Sequence, residues 1–491
     1  MRTVFAPSPI GPPSLGLIRT AIFGWALARR HGGTFVLRIE DTDQGRVRED
    51  YYRALLDVLR WLGLDWDEGP EVGGPHGPYV QSERRELHLE VARKLFEAGE
   101  LYESFSTPEE AARRREQRGD RVGAKYDNAD RDLTEAQKAA FRAEGRKPLL
   151  RLRLPDGETV FDDLVHGRTV FKDGGSADPV AVRSNGQPTF VLANPIDDAL
   201  MGITHSLRGE GALSSVPRQV AAYAALQRIG VASHIPRFGH LAPVLDASGK
   251  PLDRTMPEAD VLAHRDRGVV PQAMFNFLAS IGWSHPRRGD HFSAAELAEA
   301  FEPARVKSRP AKLDLGRLAS FNVKHLRALD RDEFIALLRP HLDTARASAE
   351  VMPPHQRDLL ERVAPLVQAR SRSLVEAAEA IACLFEPGEV VASRCGQDTD
   401  REALAAVADL LEDVEDWTVP GLETRLRSGL DETPELKRRA YAALRLAITG
   451  RPVNPMLFEV LGLLGRADSL ARVRLALGGA EVAAGNARAA G

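Results

Sequence analysis

A chain of 491 residues, 43% hydrophobic and 28% charged, has material for more than one buried core. It contains no apolar run of membrane-spanning length and no secretory signal at Met1, and two cysteines, Cys383 and Cys395, exclude a disulfide framework, so a cytoplasmic protein is expected. A net charge of −4 argues against a uniformly basic nucleic-acid binder but leaves room for a basic face.

The chain opens on a short apolar strand, Val4-Phe5-Ala6, stopped by Pro7 and Pro9. Leu17, Ile18, Ala21, Ile22, Trp25 and Ala28 then recur at the spacing of a helix with a buried face, which Gly32-Gly33 ends. Thr34 to Ile39 is β-branched and aromatic and predicts a second strand. Strand, helix and strand with short joints form a βαβ unit, hence a parallel sheet with a right-handed crossover. Ligands of such sheets bind beyond the carboxyl ends of the strands, where the loops after Ala6 and Ile39 lie. The chain carries no Gly-x-x-x-x-Gly-Lys-Ser/Thr loop, which excludes a P-loop nucleotidase.

Further along, residues 47–64 carry Leu55, Leu56, Val58, Leu59 and Leu62 at helical spacing, and a second amphipathic helix is expected over 83–100, ending at Gly99. Thr107-Pro108-Glu109-Glu110 reads as a helix start, followed by the basic run Arg113, Arg114, Arg115, Arg118, Arg121 and Lys125. Such a run is ordinarily a solvated helix face. Residues 147–171 read as strands, with turns at Pro155-Asp156-Gly157 and Gly167, and a loop is expected from Phe238 to Arg254. Beyond about residue 326 the pattern is helical throughout, with a second basic group at Lys437, Arg438, Arg439, Arg445 and Arg451.

Three stretches carry a resemblance: Phe5-Ala6-Pro7-Ser8-Pro9-Ile10-Gly11, the run Arg38-Ile39-Glu40-Asp41-Thr42-Asp43, and the block from Gly73 to Arg84. They resemble the glutamyl-tRNA synthetases, class I aminoacyl-tRNA synthetases, and the likeness runs nearly to the C-terminus. The resemblance implies an α/β fold with a Rossmann-like parallel-sheet catalytic region over 1–325. It places an acceptor-binding insertion at about 83–190 and a signature-loop and stem-contact region at about 238–325, with an all-α anticodon-binding region over 326–491. It also implies a glutamate–tRNA ligase, which activates glutamate with ATP and Mg²⁺ to glutamyl-adenylate and transfers it to the 3′ end of tRNA(Glu). A monomer without membrane association is expected.

By the same resemblance, Ser14, Gly16 and Arg254 are the candidate catalytic residues, and Gly11, Ser14, Gly16, Glu210, Leu252 and Arg254 the ATP contacts. Ala6, Ser8, Glu40, Phe190, Asn194 and Arg208 would line the amino-acid site, and Arg113, Arg114, Arg115, Arg370, Arg439 and Arg445 would meet tRNA. Where some members carry a zinc-binding Cys-x-Cys this chain has Ser104 and Ser106, and hydroxyls are poor zinc ligands, so no metal is expected there.

The chain departs from the family pattern at several points. Ser14 replaces a histidine of the first signature, and Asp253 and Arg254 replace a serine and a lysine of the second. Val4 replaces an arginine of the amino-acid pocket, Phe190 a tyrosine and Ala199 a histidine. Asp253 is expected to repel phosphates, and Arg2, on the same strand face as Val4, is a candidate to replace the missing arginine. The alternative reading is a paralogue that binds tRNA and ATP with impaired charging, or that acts on another amino acid.

Overall fold

The opening segment folds as its periodicity dictates, into β1 (Arg2–Phe5), α1 (Leu15–Arg30) and β2 (Thr34–Leu37). In the computed structural model, which describes residues 1–119, 126–172, 177–342, 353–395, 399–430, 434–452 and 456–488 with side chains to Gly478, the chain divides into two units. One comprises Met1–His264 with Met274–Leu318, the other Arg265–Ala273 with Ala319–Gly491.

In the first unit, α2 (Glu49–Trp61) and α3 (Arg85–Glu97) precede β3 (Leu101–Ser104), α4 (Pro108–Gln117) and α5 (Glu135–Ala143). Then come β4 (Leu149–Leu152), β5 (Thr159–Asp163), β6 (Gly167–Phe171) and β7 (Val180–Val182). The chain returns through α6 (Phe190–Leu200), β8 (His205–Gly209), α7 (Val216–Arg228), β9 (Arg237–Leu241) and β10 (Val244–Leu245). It ends with α8 (Val261–Asp266), α9 (Pro271–Ser280), α10 (Ala294–Ala300) and β11 (Ala311–Lys312).

The main sheet is parallel, in the order β2-β1-β8-β9. Val4 pairs with Val36 on one side and Ser206 on the other. The crossover from β1 to β2 and that from β8 to β9 therefore run in opposite directions, and the gap between β1 and β8 is the sheet's switch point. Phe238, expected in a loop, lies in strand β9 instead. Phe238 to Leu241 is buried throughout, so no polar–apolar alternation betrays the strand.

Between α3 and β7 the chain forms a separate antiparallel sheet, β3-β4-β7, and a β5–β6 hairpin. Val91, Leu95, Leu101, Leu152 and Ala181 of this insertion pack on Leu192, Ile196, Ala225 and Leu226 of α6 and α7. A carboxylate organises the insertion. Asp130, 5% exposed, accepts from the hydroxyls of Ser104 and Ser106 at 2.6 Å each and from the amides of Phe105 and Ser106 at 2.9 and 2.8 Å. The two serines at the Cys-x-Cys position thus donate to one carboxylate.

The second unit is helical: α11 (Leu315–Ala328), α12 (Arg331–Leu342), α13 (Pro354–Arg370), α14 (Leu374–Ile381), α15 (Gly388–Ala392), α16 (Arg401–Glu412), α17 (Val419–Leu430), α18 (Pro434–Thr449) and α19 (Leu457–Arg488). Among its described residues there is no strand. α19 breaks at Gly465, whose φ of 78° a side chain would oppose.

Asp130→Ala strands four donors around a buried site and should destabilise the insertion by about 2–4 kcal/mol. Hydrogen exchange checks this: amides of residues 101–106 should lose protection before those of β1 and β8. Equal protection in both proteins would refute the role given to Asp130.

Candidate active site

A cavity of about 620 Å³ opens at the switch point. Val4, Phe5 and Ala6 come to it from β1, Ser206 to Gly209 from β8, Phe190 and Asn194 from the first turns of α6, and Ser14, Gly16 and Leu17 from the start of α1. Pro251, Leu252 and Arg254 close one side. Short parallel strands that end together, each followed by a helix, produce this convergence of loops and helix N-termini.

The charges at its floor form a chain. Arg38 is fully buried and donates to Asp198 at 2.6 Å and to Glu40 at 3.3 Å. Asp198 accepts a further bond from the Tyr223 hydroxyl at 2.5 Å. Glu40 lines the cavity and also accepts from Asn194 Nδ2. Burial raises the Glu40 carboxyl to about 6, against the opposing pull of Arg38 and Asn194. The Asn194 Oδ1 atom has no partner.

Arg208 is the cavity's second cation. Its guanidinium lies over the Phe238 ring at 4.2 Å and donates through Nη1 to Gln219 Oε1. Nη2 is buried without a partner, a donor left unsatisfied by the protein. Arg2 cannot replace the missing arginine at Val4. Its fork is closed on Glu68 by two bonds of 2.8 Å, and Nε donates to Met201 O. Val4 and Phe190 present an apolar wall instead.

The other end of the cavity suits an anion. Ser14 caps α1, its hydroxyl accepting from Leu17 N at 3.4 Å, Leu15 N donates to Ala259 O at 2.8 Å, and Ser14, Gly16 and Leu17 of this helix start line the cavity. Nothing lies within 4 Å of where a Gly16 side chain would start, so a ligand can approach the backbone there. Arg254 lies across Gly11, where a Cβ would meet its Cδ at 2.8 Å. Asp253 is exposed and is not among the lining residues, although Leu252 and Arg254 on either side of it are; its carboxylate accepts two bonds of 2.9 Å from Thr255.

The expected site residues are thus brought together unevenly. Ala6, Ser14, Gly16, Glu40, Phe190, Asn194, Arg208, Leu252 and Arg254 line one cavity. Ser8, Gly11 and Glu210 do not line it, although Gly209 and Gly211 flank Glu210 on its wall. Ala199 packs against the apolar cluster of the insertion, not the cavity. Sequence reading missed Tyr223 and Gln219, to which no local pattern points.

The basic groups are also mixed in character. On α4, Arg113 is exposed, Arg114 is bonded to Asp127 and to Ser106 Oγ, and Arg115 donates to Ala111 O, while Arg121 and Lys125 lie outside the described residues. In the helical unit Arg370 pairs with Glu459 at 2.5 Å, Arg439 with Asp400 and Glu402, and Arg445 donates to Pro452 O.

The parallel sheet, its switch-point cavity with an anion-receptive helix start and the separate helical unit define a class I synthetase architecture. Family models agree: residues 1–320 match that of the class I tRNA synthetases (E and Q), catalytic domain, and residues 333–477 that of an anticodon-binding domain. The chain belongs to the glutamyl/glutaminyl class I tRNA synthetase family. A glutamate–tRNA ligase of Saccharopolyspora erythraea is 47% identical over 97% of this chain and 96% of its own length. One of Kineococcus radiotolerans is 49% identical over 96% of each. A crystal structure of a glutamate tRNA ligase from Elizabethkingia meningosepticum, in complex with its amino acid, is 26% identical, with a TM-score of 0.77 over 97% of this chain and 99% of that one.

The ionised form of Glu40 attracts an ammonium group far more strongly than the neutral carboxyl, so an α-amino ligand held there should bind more tightly as pH rises through about 6 and level off above. Below that point affinity should fall about tenfold per pH unit. Calorimetric titration of glutamate from about pH 5 to 8 tests this. A flat profile, or an unchanged profile in Glu40→Gln, would remove Glu40 from the site.

Proposed function

We propose that the chain is a glutamate–tRNA ligase whose amino-acid pocket has lost one of two cationic contacts. The observation that carries this reading is the half-buried Arg208 with Nη2 unpartnered, in the same cavity as Glu40 and the start of α1. In this reading Glu40 accepts from the substrate ammonium and Arg208 Nη2 donates to the side-chain carboxylate. The start of α1 at Gly16, with Arg254, receives the phosphates of Mg·ATP. A glutamate α-carboxylate oxygen attacks the α-phosphorus, the bond to pyrophosphate breaks, and the adenylate forms. A ribose hydroxyl of the tRNA 3′ end then attacks the acyl carbon, loses its proton and releases AMP.

What the residues supply is placement and charge compensation, not a covalent intermediate. The Arg254 guanidinium keeps the positive charge of the lysine it replaces. Ser14 keeps the cap of α1 but offers no imidazole, and losing one donor to a transferring phosphate costs about 10²–10³ in turnover. The apolar wall of Val4 and Phe190 favours a second reading, in which a less acidic amino acid fills the pocket. For tRNA, the reading rests on exposed Arg113 and on basic groups that would exchange carboxylates for phosphates.

Aminoacylation of tRNA with each of the standard amino acids tests the proposal. Glutamate should be the preferred substrate, with a millimolar KM, and Val4→Arg should lower that KM by more than about tenfold, because a second fork restores about 1.5–3 kcal/mol. A different preferred amino acid would establish the second reading, and no charging with any of them would refute both. Binding of tRNA should weaken steeply with salt, since phosphate contacts release counterions; filter binding without a salt slope would exclude a phosphate-led interface.

A further inference from the structure

The β5–β6 hairpin reaches from the insertion to the outer strand of the main sheet. Leu164 N donates to Phe238 O at 2.8 Å, and Gly239 is where the hairpin's Leu164 and Val165 crowd β9, a Cβ there lying 3.1 Å from Leu164 Cβ. At this junction Asp163 and His240 form a fully buried side-chain pair. Asp163 Oδ2 lies 2.5 Å from His240 Nδ1, while Oδ1 accepts from the amides of Val165, His166 and His240 at 2.8, 2.9 and 3.2 Å. The imidazole stands 6.4 Å from the Phe238 ring that carries the Arg208 guanidinium.

These groups also fix a tautomer. Burial holds His240 neutral, with the Arg208 charge acting in the same direction. Burial alone would raise Asp163, but the bonds from His240 and the two turn amides outweigh it and keep the carboxylate ionised. A carboxylate facing Nδ1 requires the proton there, so Nε2 is left as a bare lone pair, and it is buried without a partner. An N–H at that position would set a positive dipole end in the field of Arg208.

We propose that Asp163 is a positioning residue for the amino-acid pocket: from the hairpin of the insertion it orients His240 and, through the Phe238 platform, the Arg208 guanidinium. This rests on the reading of Arg208 as the contact of the substrate carboxylate. It makes the Asp163–His240 pair one of the contacts through which the insertion acts on the amino-acid site.

The test uses Asp163→Asn and Asp163→Ala in the full chain. Asparagine keeps Oδ1 for the three amides and so spares the turn, but its N–H₂ faces Nδ1 and forces the imidazole proton to Nε2. The KM for glutamate should rise about tenfold in Asp163→Asn while the KM for ATP stays at its wild-type value. An unchanged glutamate KM, or a matching rise in both constants, would overturn the proposal. Crystal structures of both unliganded variants decide the point independently of substrate. The guanidinium should leave the Phe238 face in Asp163→Ala, and one still stacked there would overturn the proposal even if wild-type protein charges no glutamate. Absence of glutamate activity in wild-type protein, with the guanidinium displaced in the variant, would instead defeat only the reading of function.

Discussion

The buried guanidinium of Arg38 constrains everything around the cavity. A cation with no solvent exposure is tolerable only if carboxylates neutralise it, and two do: Asp198 at 2.6 Å and Glu40 at 3.3 Å. Those carboxylates come from α6 and from the end of β2, and Tyr223 adds α7 to the same set. The ion cluster therefore fixes how far the two halves of the βαβ architecture stand apart at the switch point. Glu40 is consequently aimed by a structural requirement and available to a ligand through its remaining lone pairs.

Two neighbouring hubs obey the same logic. Asp197 accepts from Arg84 at 2.6 Å, Gln81 at 2.9 Å and lies 2.8 Å from His88. Glu68 accepts from Arg2 and from the Tyr79 hydroxyl. Together they pin the segment from Gly73 to Arg84 to the edge of the sheet, which explains why that polar, glycine-rich block has a defined structure. They also explain why Arg2 is spent. Its neighbour across the strand, Val4, faces the cavity, but a guanidinium already closed on a buried carboxylate is not free to turn into it.

Legibility in the sequence follows the physics of each element. The opening βαβ unit and the helical C-terminal part could be read because their periodicities report one buried face. β9 could not, since Phe238–Leu241 is buried on both faces and shows no alternation. Glu40, Arg208 and Arg254 were found through the resemblance, and the cavity unites them. Gln219 and Asp163 were not, because each is 11 or more residues from its partner in sequence and no local pattern links them. Charge runs show the same limit. A cluster of arginines is visible in sequence, but the carboxylates Asp127, Asp400 and Glu459 that answer Arg114, Arg439 and Arg370 are not adjacent to them.

The contrast between these hubs and the altered signature positions explains how the chain keeps its fold while its chemistry shifts. Removing Asp198 would leave the buried Arg38 with Glu40 alone, and removing Asp197 would take the carboxylate from the buried Arg84, a loss of about 3–5 kcal/mol for a broken buried pair. Val4, Phe190, Ser14 and Asp253 bear no such load. Val4 packs among Val36, Met201 and Ile203, Ser14 retains a capping hydroxyl, and Asp253 satisfies itself on Thr255. None contributes to the Arg38, Asp197 or Glu68 clusters. Affinity for the charged substrate and stability of the sheet therefore rest on different side chains of the same cavity, and the first can change while the second stays intact.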